Sequence, residues 1–539
     1  MNLLDYFPED VQPYDQQIEL IKSIDRAFSS GKKYVICCAP TGSGKSFLAK
    51  TLANKSSSPS QEFVDSIESN SAFEQDQYGD FLNADNCDQQ PPFGAFALTI
   101  SKNLQDQYKE LFNDGDVLKG KTNYICEVDP NYEVEVAPCV YLSSLKEKCL
   151  ASKVCPYYNA RNTTLTNKFG ILNYSMFMSL PPHVKRREYL VCDEASELEE
   201  ELVKRYSRTI NFLVLKKLKI STANIPVHDY TKFYTWLNIL VTTLSDEVKE
   251  TKAKFKKKKE VSAAERQRYS LLNSMLLSLQ TTIDTWNDCE YLIEKNQDGV
   301  TLKPLRVDNL AQYIFKYSDK VLLMSATIID PANFAKTLGI TDYEYIEVDS
   351  TFDPKNAPIY SSKKLYLNYK NLKSSLPTLV RQIKDLCNQH RDVKGIIHTH
   401  TMEITNYLRE NLNDPRLLFR MNGMTNDQIV RQHIDSTENT ILVSPSLSFG
   451  VDLKEDLARF QIVVKAAYMP LSDERIKRLC NADPRWYQNK MLNNVIQACG
   501  RGVRTSQDKC VTYILDGCIT DAILKNKDKL PKYFLKRFV

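Results

Sequence analysis

Residues Ala39-Pro40-Thr41-Gly42-Ser43-Gly44-Lys45-Ser46 stand between an apolar run, Tyr34-Val35-Ile36-Cys37-Cys38, and a helix-like stretch from Ser46 to Leu52. Strand, glycine-rich turn and helix in that order let backbone N–H groups close around phosphate oxygens while the helix N-terminus faces the anion. In such a loop Thr41, Gly42, Ser43 and Gly44 cradle the phosphates, Lys45 reaches the β- and γ-phosphates, and Ser46 ligates Mg²⁺. The position of the usual first glycine is Ala39 here. The chemistry implied is binding of ATP with magnesium.

Two further stretches complete a hydrolytic site. The apolar strand Tyr189-Leu190-Val191-Cys192 ends in Asp193-Glu194-Ala195-Ser196. Downstream of a phosphate loop, Asp193 would hold Mg²⁺ through water and Glu194 would orient and deprotonate the attacking water. Near the C-terminus lies Gln497-Ala498-Cys499-Gly500-Arg501-Gly502-Val503-Arg504. Arg501 and Arg504, three apart on a helix, share a face and can reach a γ-phosphate as its charge redistributes. Gln17, on a helix-like run from Pro13 to Ile24, presents an amide donor and acceptor suited to an adenine edge. Ser325-Ala326-Thr327 carries small hydroxyls that could couple hydrolysis to movement, although the tripeptide by itself is uninformative, and Ser446 to Asp452 could link nucleotide to nucleic acid.

Cys126, Cys139, Cys149 and Cys155 fall within thirty residues, with gaps of twelve, nine and five. The absence of a Cys-x-x-Cys pair disfavours a zinc ribbon, and four thiolates from irregular loops suit a cubane iron–sulfur cluster. Spacing alone leaves cluster, zinc and unligated thiols open. Lys119, Lys121, Tyr124, Tyr157 and Arg161 interleave cations with aromatics around them, a mixture that grips single strands by phosphate contact and base stacking; a solvated rim is the plainer reading.

The elements that must position these residues follow from pattern and length. At 539 residues the chain exceeds one core. Residues 56–92 hold eight Asp/Glu and no Lys/Arg, so the net charge of +4 conceals an excess of twelve positive charges elsewhere, which suits a polyanionic partner. That acidic, Asn/Gln-rich tract reads as a disordered insertion. Fourteen cysteines, no apolar run near the roughly 18 residues of a membrane span, and no basic-then-apolar N-terminus predict a soluble, intracellular, cytoplasmic protein with reduced or metal-bound thiols, and no membrane partner. Strands are predicted at 93–99, 169–174, 189–192 and 320–324, then at 395–398, 440–444, 460–464 and 511–515, alternating with helices as two parallel sheets require. Residues 205–300 read as helical. Leu271, Leu272, Met275, Leu276 and Leu279 mark one face, and a lysine-rich run from Lys252 to Lys259 reads as a solvated face that is also able to touch nucleic acid.

Together these residues resemble the XPD/DinG family of superfamily 2 iron–sulfur helicases over nearly the whole chain. Gln17 matches its Q motif, Ala39 to Ser46 motif I, Thr99 to Gln107 motif Ia, and Asp193 to Ser196 the Asp-Glu-Ala-His box. Ser325 to Thr327 matches motif III, Ser444 to Asp452 motif V, and Gln497 to Arg504 motif VI; Leu118 to Cys126 and Cys155 to Tyr158 resemble the entry to and exit from its cluster domain. The resemblance implies an α/β fold with two RecA-like parallel-sheet domains. The first, in pieces at 1–115, 166–204 and 301–358, would carry an iron–sulfur domain at 116–165 and a helical arch at 205–300; the second would span 359–539. It adds Gln497 and Asp452 to the nucleotide site and makes a 4Fe-4S cluster on Cys126, Cys139, Cys149 and Cys155 the preferred reading. It implies a monomer that moves 5′ to 3′ on single-stranded DNA and unwinds duplex or forked DNA, in the host cytoplasm if a phage encodes it. Two other readings are a translocase or remodeller of DNA–RNA hybrids without general unwinding, and an ATP-gated nucleic-acid-binding scaffold. Ser196 replaces the box histidine, which leaves the coupling of hydrolysis to the second domain unassigned.

Overall fold

Continuous Val/Ile/Leu/Cys runs, buried on both faces, build the two largest sheets, because helices cover each side of a parallel sheet. The computed structural model describes residues 2–40, 42–69, 91–258, 261–421, 423–445, 455–503 and 508–539. The first sheet has seven parallel strands in the order Tyr343–Glu347, Tyr34–Cys38, Ser318–Ser325, Arg187–Asp193, Ala95–Thr99, Phe169–Asn173, Asp116–Leu118. Alternation along each strand sorts its side chains between two cores. Ile36, Cys38, Leu190, Cys192, Val321 and Leu323 pack on one face, while Val35, Cys37, Tyr189, Val191, Leu322 and Met324 pack on the other.

The second sheet has six parallel strands: Ile359–Leu365, Val511–Asp516, Phe460–Val463, Gly395–His398, Ile441–Ser444, Leu417–Phe419. The two-lobed α/β architecture read from the sequence is therefore present. The central strands lie where pattern predicted them, and the edge strands Asp116–Leu118, Tyr343–Glu347, Ile359–Leu365 and Leu417–Phe419 were not predicted. They are short or polar, and one sheet neighbour suffices to hold them.

Between the Asp193 strand and the Ser325 strand, two long helices, Tyr230–Lys257 and Ala263–Asp284, fold back on each other. Phe255 meets Tyr269 near the loop, and Phe233 meets Trp286 at the far end. The region differs from the expected all-helical insertion in two ways. The region is not wholly helical: Arg208–Asn211, Gly299–Pro304 and Tyr291–Lys295 form a small antiparallel sheet, its hairpin turned at Asn296-Gln297-Asp298. Leu271 also leaves the predicted face, being 67% exposed, because the partner helix takes up Leu272, Leu276 and Leu279. The lysines at 254, 256 and 257 are exposed on the end of the first helix, and Lys259 lies outside the described residues.

The acidic tract is corrected in part. Gln61–Glu68 is a helix capped by Ser60, with Phe63 and Ile67 buried against the first lobe; residues 70–90 lie outside the described residues. No helix among the described residues is long and apolar enough to cross a membrane.

Candidate nucleotide cleft and nucleic-acid channel

Gly44 enters the helix Lys45–Lys55 in the left-handed region (φ 74°), and Gly42 is left-handed too (φ 80°). A side chain at Gly44 would collide with the Gln17 amide, so glycine there admits Gln17 to the loop. Gln17 is buried, and its Oε1 accepts from the Tyr14 N–H at 2.9 Å, closing its own helix start. Lys45 Nζ donates to the Ala39 carbonyl at 3.2 Å. Among the described residues the buried Ser43 Oγ finds no partner, and a phosphate oxygen would satisfy it. Thr41 lies outside the described residues.

Asp193 ends its strand beside this loop. Tyr108 donates to Asp193 Oδ2 at 3.0 Å and is also bonded to Ser46, which brings the two expected magnesium ligands around one phenol. Burial and then Glu194 push the Asp193 carboxyl up to about 6 against the pull of Lys45, a cost that a divalent cation at this point would relieve. Glu194 sits in the left-handed region (φ 49°), a strained placement that turns its carboxylate toward the cleft. Ser325 Oγ donates to Glu194 Oε2 at 3.1 Å and lies 3.0 Å from Ser196 Oγ.

The second lobe supplies the opposite wall. Along the helix Pro484–Cys499, Gln497 Nε2 donates to Glu197 Oε1 at 3.2 Å and to Thr327 Oγ1 at 3.4 Å. A cavity of about 340 Å³ lies between the lobes, lined among others by Pro40, Glu194, Thr327, Phe352, Gln497 and Arg501. Arg504, Asp452 and the stretch Ser446 to Asp452 lie outside the described residues.

Sequence reasoning missed several residues of this cleft. Tyr108 lies one residue past the motif Ia stretch, on the helix Lys102–Leu111, and Phe352 comes from a segment without a motif. The C-terminal turn adds Tyr533, whose hydroxyl donates to the Ala326 carbonyl at 2.8 Å, Lys536, paired with Asp349, and Arg537, which donates to the carbonyls of Ala357 (2.7 Å) and Cys499 (3.1 Å). Only their place in the fold marks them.

The four cysteines come together. Cys126 follows a short bridge, Cys139 lies in a 3-10 turn, Cys149 is near the end of Ser143–Ala151, and Cys155 caps Pro156–Thr166. Burial first, and then the other three thiols, push Cys139 up to about 11. The thiols are thus close enough to feel one another's charge. Yet among the described residues no group of three or more His, Cys, Asp or Glu lies within reach of a single metal ion. The surrounding cations and aromatics depart from the predicted rim. Tyr157, Tyr158 and Arg161 are buried, with Arg161 4.7 Å from the Tyr158 ring, so they wrap the thiols rather than face solvent. Lys119 is paired with Asp106 at 2.5 Å, and the Tyr124 hydroxyl accepts from the Lys119 N–H.

A second cavity, of about 460 Å³, opens where the cysteine segment, the long helices and the first lobe meet. Lys121, Lys185, Arg205, Arg208 and Tyr206 line it, with Glu135 among the opposing side chains. Burial and then Arg205 push Arg208 down to about 10, and the carbonyls of Ser207 and Ser278 are among its partners. Crowded, partly desolvated cations of this kind are relieved by an anionic backbone.

Residues 398–536 match the helicase C-terminal domain family. No curated protein matches the sequence. In fold, an XPD helicase covers 96% of this chain and 99% of its own at a TM-score of 0.59 and 16% identity. Xpd4 of S. tokodaii covers 95% and 97% (TM-score 0.53, 14% identity), and an XPD structure in its apo form covers 95% and 98% (0.52, 14%). The resemblance carried by the motifs holds at the level of fold and of the C-terminal domain.

Proposed function

We propose that this chain, a helicase of the XPD/DinG type, is an ATP-dependent DNA helicase that moves 5′ to 3′ along single-stranded DNA and parts duplex or forked DNA. The observation that carries the reading is the cleft between the lobes, where Pro40 of the phosphate loop and Glu194 of one lobe face Gln497 and Arg501 of the other. Lys45, Gly42, Ser43, Gly44 and Thr41 bind the triphosphate, and Ser46 and Asp193 hold Mg²⁺. Glu194 takes the proton of the attacking water, and Arg501 with Arg504 stabilises charge on the transferring phosphate. Gln17 and Asp452 belong to the nucleotide-binding set. Closing and opening the cleft moves the lobes in turn along the strand.

The basic cavity at the junction of the cysteine segment and the long helices supports a single strand threading beside the first lobe. The pieces at 1–115, 166–204 and 301–358 make up that lobe, 116–165 the cluster domain, 205–300 the arch, and 359–539 the second lobe. Cys126, Cys139, Cys149 and Cys155 fit a 4Fe-4S cluster better than a single zinc ion, because each thiolate of a cubane binds its own iron and the set spreads wider than around one ion. When bound, such a cluster supplies a cross-link that fixes the loops carrying it. The proposed chain acts as a cytoplasmic monomer.

The test is ATP turnover with and without single-stranded DNA, together with unwinding of forked DNA bearing a 5′ or a 3′ tail and of DNA–RNA hybrids. Stimulated turnover with unwinding from the 5′ tail is expected. Stimulated turnover without unwinding would leave a translocase, unwinding of hybrids alone a remodeller, and the absence of turnover a scaffold.

A further inference from the structure

The first lobe's acidic box has two jobs. It must hold the water-activating carboxylate, and it must sense whether the second lobe is in place. With serine at its fourth position, the second job needs another side chain. Among the described residues the Ser196 hydroxyl bonds only within the first lobe: it lies 3.0 Å from Ser325 Oγ, accepts from Thr327 Oγ1 at 3.4 Å and donates to Glu197 Oε1 at 3.5 Å. The next residue makes the crossing. Glu197 Oε1 accepts from Asn493 Nδ2 at 3.2 Å and from Gln497 Nε2 at 3.2 Å, two amides one turn apart on the helix Pro484–Cys499. Arg501 follows that helix immediately and lines the cleft opposite Glu194.

We propose that Glu197 is the positioning residue that couples the ATP site to the second lobe, in place of the fourth position of the box. The path is continuous. Glu194 accepts from Ser325, Ser325 meets Ser196 and Thr327, Thr327 accepts from Gln497, and Gln497 and Asn493 both donate to Glu197. One carboxylate oxygen accepting two amides fixes both the rotation and the advance of that helix, because residues i and i+4 lie one above the other. Shifting the helix by a fraction of a turn breaks both bonds and withdraws Arg501 from the cleft. Glu197 is half-buried, and that burial raises its carboxyl against the pull of Lys490 and the Gln497 amide, with Glu200 and Glu194 pushing the same way as burial.

This coupling rests on the motor reading above, and the experiment separates the two. Glu197→Ala should lower the ratio of DNA-stimulated to DNA-free ATP turnover by about tenfold, the effect of losing hydrogen bonds to a charged acceptor. Glu197→Gln keeps an acceptor oxygen and should restore most of the ratio, which a merely space-filling role would not predict. Asn493→Ala removes one donor from the other lobe and should move the ratio the same way, so the inference stays open to test if the alanine variant at 197 folds poorly. A wild-type ratio in both alanine variants, or a Gln variant as defective as the Ala variant, overturns the coupling alone. A wild-type chain with no DNA-stimulated turnover overturns the motor reading and the coupling together.

Discussion

The two lobes meet along two edges that differ in kind. At one, Glu199 is buried with every opposing group satisfied: Arg475 Nη2 at 2.7 Å, Lys490 Nζ at 2.8 Å and Trp486 Nε1 at 2.9 Å. Arg475 also donates to the Pro304 carbonyl, and Lys303 pairs with Asp473 at 2.8 Å, so the insertion between the lobe-one strands is tied in as well. At the other edge lies the 340 Å³ cleft; in the adjoining phosphate loop the Ser43 hydroxyl finds no partner among the described residues, and Lys45 is turned onto its own loop. A dry, neutralised edge resists separation, because opening it would strand charges out of water. A roomy polar edge costs little to open and gains partners from a ligand. On this difference the Glu199 edge is expected to act as the pivot and the cleft to open.

Breaking the pivot should have the largest effect. Glu199→Ala leaves Arg475 buried without its acid and Lys490 with only the half-exposed Glu200, and should destabilise the protein by about 3–5 kcal/mol in denaturant titration. A loss below about 1 kcal/mol would mean that the edge opens to water. Lys45→Ala strikes the other edge and should invert the pattern. Turnover should fall about 100- to 1000-fold, as when one oxyanion-stabilising donor is lost, while the melting temperature stays near that of wild type. Normal turnover in that variant would remove the nucleotide-site assignment.

Acid should sharpen the contrast. Burial alone would raise the Glu199 carboxyl, but Lys490 and Arg475 outweigh it and hold it at about 2, below the ordinary 4.5. A carboxyl depressed in the folded state contributes its stabilisation above the unfolded pKa and loses it as pH falls through the folded one. Stability should therefore decline between about pH 4.5 and 2, and Glu199→Gln should flatten the decline in that window. An unchanged acid profile in Glu199→Gln would assign the acid response elsewhere.

The smallest effect is expected at an ion pair of the same chemistry on the surface. Arg478 and Glu290 join the second lobe to the insertion between the first lobe's strands at 3.1 Å, but their side chains are 48% and 57% exposed. Arg478→Ala should cost under about 1 kcal/mol. A cost approaching that of Glu199→Ala would show that exposure is not what separates the two edges.

Much of the site was legible because its parts are local. The turn at Gly42 to Ser46, the acids after Cys192 and the run from Gln497 to Arg501 each place chemistry at the end of a strand or helix whose period is visible in the chain. Central strands were legible for the same reason. What failed was whatever depended on a partner distant in sequence. Leu271 has the residue type of a core position, yet the helix beside it leaves it in water. Tyr157 and Arg161 have the types of a binding rim, yet they close over thiols. Gln61–Glu68 sits in a tract whose composition reads as disorder, yet Phe63 and Ile67 find the first lobe.

The sequence by itself set out the parts of a nucleoside-triphosphate site between two parallel-sheet lobes, since phosphate geometry needs particular residues at fixed spacing. Only the tertiary structure decided which acids near the box work across the interface. Glu197, Glu199 and Glu200 are indistinguishable by type. Yet the side chain of Glu199 is 6% exposed and locked to three donors, that of Glu200 is 44% exposed, and Glu197 meets the amides of the opposite helix. Burial and pairing are properties of the surface that arrives from the other lobe, nearly three hundred residues away, and no local pattern encodes them.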